Sequence, residues 1–303
     1  MNRRAFLKTA GMLSASALVI RHDNSVLLAQ DKVSRVGGEK IKLSLNAYSF
    51  NSYLRDGKMD LDELFEYCAK LNFDAVDPTG YYFPGYPDVP PDDYIAHIRR
   101  KAFVLGLDIS GTGVRQNFSD PDPAVRKEGV EHVKEWVEVA SKLGAPVIRV
   151  FAGRDIPEGY SREEMNGWVA EALRQCVEAG KKHGVMIGVQ NHDDYLLTSD
   201  HILQILRLVD SEWLGIILDV GSFTVNDPYQ EIARIAPYAV SWQIKENLGY
   251  DDRTVKTDLS KIAQILHDVE YRGYIPIETL GGDPMEKVPG FLKEVREAVG
   301  VTA

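Results

Sequence analysis

The sequence predicts an α/β chain folded as a single (β/α)8 TIM barrel, and three observations carry that prediction. Eight short β-rich runs alternate with helix-period segments between residues 38 and 303. No Pro/Gly/Ser-rich linker divides that stretch into two domains. Its roughly 265 residues suit one barrel of this kind, whose working residues project from the C-terminal strand ends. The competing architecture, a doubly wound open sheet, lacks its phosphate fingerprint. Gly111-Thr112-Gly113 follows a strand, but Gln116 stands where the third glycine belongs, so the segment reads as a strand-end turn.

The β runs fall at 41–48, 75–77, 107–110, 146–151, 186–191, 215–219, 239–244 and 275–278. Between them, 61–71 places Leu61, Leu64, Phe65, Cys68 and Leu71 on one helical stripe, with Asp60 as its N-terminal cap. Segments 130–143, 168–183, 199–209 and 259–269 repeat the pattern. Glycines at 144, 184 and 273 read as helix stops before the next strand.

Composition narrows the function. The 303 residues are 44% hydrophobic and 26% charged, enough to fill a large core and to exclude disorder, collagen and small disulfide scaffolds. A net charge of −10, from 45 acids against 35 bases, gives no footprint for a nucleic acid or an acidic membrane. A small neutral ligand fits better. Cys68 and Cys176 both fall in helical segments, which argues against a disulfide framework.

Residues 1–30 form a separate segment. Asn2-Arg3-Arg4-Ala5-Phe6-Leu7-Lys8 precedes a weakly hydrophobic run from 9 to 20, the pattern of a twin-arginine export signal, with cleavage expected near Ala29-Gln30. The run is too short for a stable membrane anchor. Its removal leaves a mature chain of about −13. A periplasmic location is therefore expected.

The strand ends carry the chemistry. The fifth run ends Val189-Gln190-Asn191-His192, and alternation puts Gln190 and His192 on one side. The sixth ends Leu218-Asp219-Val220-Gly221, an acid closing an apolar run, where burial demands a metal, a base role or an ion pair. The seventh ends Gln243-Ile244-Lys245-Glu246, with Gln243 and Lys245 sharing a side. The eighth ends Ile277-Glu278-Thr279-Leu280, a second isolated acid.

With these four strand ends in this order, the mature chain resembles the xylose isomerase-like barrel family of sugar isomerases and epimerases, which also includes the endonuclease IV branch. The resemblance implies a divalent ion at the barrel mouth, held by Glu, Asp, His and Glu from strands five to eight. Asp219 and Glu278 match the second and fourth ligands, while Gln190 replaces the Glu and Gln243 the His. Two carboxylates and two amide oxygens favour Mg²⁺ or Mn²⁺ over Zn²⁺, at reduced affinity, and leave open a site with no metal at all.

Two readings of function follow. The first is a metal-assisted isomerase, epimerase or related lyase that removes a proton alpha to a carbonyl of a non-phosphorylated sugar, keto-sugar or glycoside. Gln190, Asp219, Gln243 and Glu278 then form the metal set. Glu278 or His192 moves the proton, and Lys245 polarises the carbonyl. Asn46, Tyr48, Arg149 and Glu246 are candidates for substrate hydroxyls or a carboxylate, and the aromatic segment 77–86 for a sugar-stacking wall or a packed rim. The second reading is a carbohydrate-binding barrel that lost catalysis with the family's Glu and His. DNA repair is disfavoured by charge, export signal and the missing histidine-rich zinc shell. His97, His132, His183, His201 and His267 lie in helical segments and are expected to be exposed.

Overall fold

Apolar runs this short and this unbroken are stable as parallel strands covered by helices, with neighbours on both sides to satisfy their backbone groups. The computed structural model, described for residues 32–192, 195–250 and 253–301, has this arrangement. The expected export segment, residues 1–30, lies outside the described residues. The strands are β1 (Lys40–Asn46), β2 (Ala75–Asp77), β3 (Asp108–Ile109), β4 (Thr112–Gly113), β5 (Val147–Phe151), β6 (Met186–Gln190), β7 (Leu214–Asp219), β8 (Ala239–Lys245), β9 (Asn247–Tyr250), β10 (Arg253–Lys256) and β11 (Arg272–Glu278).

Nine of them pair in parallel in the order β3-β2-β1-β11-β8-β7-β6-β5-β4. The two outermost strands are consecutive pieces of one segment: Ile109 pairs with Val76 on one side, and Gly113 with Arg149 on the other. The sheet therefore closes through the chain itself, and the eight predicted runs supply the eight barrel positions. Thr112 and Gly113 are thus the second half of the third barrel strand, which corrects their reading as a strand-end turn. The antiparallel hairpin β9–β10, too polar to be seen in the sequence pattern, stands beyond the barrel.

Helices α1 (Asn51–Arg55), α2 (Leu61–Lys70), α3 (Asp92–Val104), α4 (Pro123–Leu143), α5 (Arg162–His183), α6 (Ser199–Val209), α7 (Pro228–Ile235), α8 (Leu259–Asp268) and α9 (Pro284–Val299) cover the barrel. In α2 the predicted stripe is buried at Leu61, Leu64, Phe65 and Cys68. Asp60 accepts from the Glu63 amide, and the Glu63 side chain accepts from the Asp60 amide, a reciprocal cap of about 1 kcal/mol. Gly144 and Gly184 end their helices in the left-handed conformation. Gly273 instead lies inside β11, and the left-handed residue after α8 is Glu270. No described helix is long and apolar enough to cross a membrane.

Alternation sorts the strand residues. Leu43, Leu45, Ile148, Val150, Leu218, Ile244 and Ile277 are buried on the helix-facing side. Residues of the other parity fill the interior, where Ser44 and Ser110 share a 2.7 Å hydrogen bond. Cys68 and Cys176 are both buried and free. Of the five helical histidines expected to be exposed, His97 and His267 are; His132, His183 and His201 are half-buried, and burial lowers the pKa of His132 and His201.

Candidate active site

The inward parity continues past the strand ends into a cavity of about 610 Å³ at the C-terminal mouth of the barrel. Asn46, Tyr48, Arg149, Gln190, His192, Gln243, Lys245 and Glu278 all line it, as do Tyr81, Phe151 and residues of the β9–β10 hairpin such as Leu248. Glu246 has the opposite parity to Lys245 and lies outside the lining. It faces α9 and pairs with Lys287 at 2.6 Å.

Asp219, Gln190, Gln243, Glu278 and Lys245 form one buried network. Asp219 is fully buried, and its backbone is gripped at two points by Asn191, whose side chain donates to the Asp219 carbonyl and accepts from the Asp219 amide, both at 2.8 Å. Its Oδ1 accepts from the Gly221 amide, and its Oδ2 from Gln190 Nε2 and Lys245 Nζ, each at 2.7 Å. Gln190 Nε2 also donates to Gln243 Oε1 at 3.0 Å. The Gln243 amide in turn donates to Glu278 Oε2. Lys245 Nζ lies 3.6 Å from Glu278 Oε1, so its ammonium touches both carboxylates. Burial pushes the Glu278 carboxyl up to about 7, with Asp219 adding to the rise and Lys245 and Arg149 opposing it.

A second cluster forms the adjoining wall. Arg149 donates from both terminal nitrogens to the Tyr81 hydroxyl at 3.0 Å and to the Val114 carbonyl at 3.1 Å. Its guanidinium lies 4.3 Å from the centre of the Phe151 ring. Burial opposes its charge, but Tyr81, Asp77 and Glu278 outweigh that effect and raise its pKa. Asp77 is pushed up to about 6 by burial, Arg149 opposing. Gly113 leaves room for this arginine, since a Cβ there would stand 2.7 Å from Arg149 Nε. His192 packs edge-on against Phe151. Asn46 accepts from the Tyr48 amide at 2.9 Å and so fixes the turn that brings Tyr48 to the rim.

Tyr81 faces the cavity, whereas Phe83 and Tyr86 pack on Trp136. Sequence reasoning missed Asn191 as the clamp on Asp219, Asp77 as the partner of Arg149, and the hairpin wall. Asn191 was legible in principle, as a polar residue of outward parity beside a strand-end acid.

A parallel barrel with its polar cluster at this mouth matches the xylose isomerase-like TIM barrel over residues 65–295. The chain belongs to that family. Among its relatives, the D-psicose 3-epimerase of Ruminiclostridium cellulolyticum is 23% identical over 236 residues, covering 74% of this chain and 80% of the epimerase. Of the solved structures, the 3-keto-D-glucoside 4-epimerase of E. coli superposes with a TM-score of 0.70 at 15% identity, over 85% of this chain and all of that one. The IolI protein, solved with a bound zinc atom, gives 0.70 at 15% identity, over 86% and 98%.

In this xylose isomerase-like barrel the four strand-end residues Gln190, Asp219, Gln243 and Glu278 are not arranged as an oxygen cage. Among the described residues no cluster of three or more His, Cys, Asp or Glu is placed to hold a metal ion. Gln190 and Gln243 turn their N–H groups, not their oxygens, toward the carboxylates. The Gln243 oxygen is already bonded to Gln190, and the space between Asp219 and Glu278 holds the Lys245 ammonium. Mg²⁺ or Mn²⁺ is held by oxygens alone, from protein and water, whereas here both amides present N–H groups to the carboxylates and an ammonium stands between the two acids. The donor set as built does not fit a divalent ion.

Proposed function

We propose that the protein is a carbohydrate epimerase or isomerase that removes a proton alpha to the carbonyl of a non-phosphorylated keto-sugar or keto-glycoside. One observation carries this reading: a buried carboxyl poised near pH 7, Glu278, sits on the cavity floor beside an ammonium. A base of that pKa is matched to proton abstraction at neutral pH. The names of the relatives, a psicose epimerase and a keto-glucoside epimerase, support the substrate class. The export signal at residues 1–30 supports a periplasmic site of action, where free sugars rather than sugar phosphates are at hand.

In this reading ionised Glu278 takes the alpha proton. The C–H electron pair becomes the C–C double bond, and the carbonyl π pair moves to oxygen. Lys245 supplies the positive charge that meets the oxyanion. Return of a proton from Glu278 to the same carbon on the same face regenerates the substrate; return to the former carbonyl carbon, with the hydroxyl proton of the alpha carbon passing to the former carbonyl oxygen, gives the isomer. Delivery from His192 on another wall of the cavity gives the epimer, after which the two groups reset by exchange with water. Arg149, Asn46 and Tyr48 hold the remaining hydroxyls.

The test is deuterium exchange. Candidate ketoses and 3-keto-glycosides are incubated with the protein in D₂O and followed by NMR at the alpha C–H. Exchange in the wild type that is lost in Glu278→Gln supports the proposal. Saturable binding without exchange on any of them refutes it and assigns the protein to carbohydrate binding.

A further inference from the structure

The five buried polar residues at the mouth contain two acids and one base, and the geometry shows how the base reaches them. Lys245 is the last residue of β8, whose neighbours are β7 and β11. Asp219 pairs in register with Gln243, and Glu278 with Lys245 itself. The lysine therefore leaves the sheet between the two acids. Its Nζ lies 2.7 Å from Asp219 and 3.6 Å from Glu278, and its side chain is 14% exposed. The path of its stem is built in: a Cβ at position 221 would stand 2.6 Å from Lys245 Cδ, so only glycine leaves the chain room to pass. Thr257 Oγ1 donates to the Lys245 carbonyl at 2.6 Å and fixes the backbone from which it starts.

The amides complete the arrangement. Gln190 bridges Asp219 to Gln243, and Gln243 bridges onward to Glu278, so one continuous chain of N–H donors runs along the carboxylates. Turning either amide to offer oxygen to a cation would set that oxygen against a carboxylate oxygen and break the chain. A divalent ion entering here would also have to displace an ammonium already in contact with a fully buried acid.

We propose that Lys245 is an internal substitute for a divalent ion: its ammonium binds the two carboxylates together and serves as the electrophile, and the protein works without metal. The catalytic half of this inference rests on the enolate reading above, and the metal half on geometry alone. No group transfer involves the lysine, which stays protonated while the proton moves between Glu278 and carbon.

The experiment uses the full chain, stripped with EDTA and titrated calorimetrically with Mn²⁺ in the absence of substrate. Three variants run beside it: Lys245→Met, Lys245→Arg, and Lys245→Met combined with Gln190→Glu, which removes the ammonium and adds a third carboxylate. Thermal melts establish that each is folded. Wild type and Lys245→Arg should take up no Mn²⁺ up to about 1 mM, and the double variant should bind one ion at least about tenfold more tightly than that limit, a gain of about 1.4 kcal/mol or more. Saturable uptake by the wild type, or no gain in the double variant, overturns the proposal. Should Lys245→Met fail to fold, the wild type and Lys245→Arg titrations still decide it. In the exchange assay, wild-type activity should survive EDTA; loss on EDTA with recovery on adding Mn²⁺ also overturns it. Absence of exchange on any sugar, with the titrations as expected, refutes the enolate reading and leaves the lysine's place in the site standing.

Discussion

The raised carboxyl of Glu278 has a consequence for stability that can be measured without a substrate. Its ordinary value is 4.5 and its folded value about 7, so between those two pH values the folded protein holds a proton that the unfolded chain has released. The associated stability is fully present below the lower value, is lost as pH rises through the window, and stays lost above it. Between pH 5 and pH 8.5 the loss amounts to about 2–3 kcal/mol. Glu278→Gln has no such step. Whatever constant change in hydrogen bonding the amide brings, the stability difference between variant and wild type should move by about 2–3 kcal/mol in the variant's favour from pH 5 to pH 8.5. In a chain of 303 residues that is a relative Tm change of about 3–5 °C. Thermal melts of both proteins across that range read it directly. Parallel Tm curves for the two proteins would show that Glu278 titrates as an ordinary carboxyl, and the argument for it as a base poised near neutrality would fail with them. The same titration sets the exchange rate, which should climb with pH and level off above about 7, where Glu278 is ionised.

Two further predictions concern the residues that hold this arrangement in place. Asn191→Ala leaves the backbone amide and carbonyl of Asp219 buried without partners, and urea unfolding should report a loss of about 2–4 kcal/mol. Gly221→Ala drives a methyl group into the lysine stem. Alpha exchange should fall at least about tenfold, while urea unfolding reports a loss of only about 1–3 kcal/mol.

The barrel was legible because its strands are buried on both faces and flanked by capped helices, which makes each unit a local pattern. Asp60 with Glu63, Gly144 and Gly184 can all be read within a few residues of the helix they delimit. What was misread depends on pairing at a distance. Thr112 and Gly113 form a strand only because β5 lies beside them, and Gly273 continues β11 because β1 does. The β9–β10 hairpin has too few apolar residues in alternation to announce itself. At the mouth, alternation alone placed Gln190, His192, Gln243 and Lys245 around one cavity with Glu278, and the same rule turns Glu246 away toward Lys287.

Alternation gives positions, not partners. Whether an amide presents its oxygen or its nitrogen depends on what stands opposite, and here that is a carboxylate in each case. Glutamine rather than glutamate at 190 then has a physical reason that a site-by-site reading does not supply. A third buried carboxylate beside Asp219 and Glu278 would leave a single ammonium facing three negative charges. With Gln190 the count falls to two, and when Glu278 takes up a proton it falls to one, which Lys245 alone balances. Proton uptake by the base thus moves the cluster toward neutrality, while the oxyanion formed in the same step presents the lysine with the charge that Glu278 has given up. The amides and the lysine form one electrostatic unit, and replacing any of them singly should disturb the site more than replacing them together.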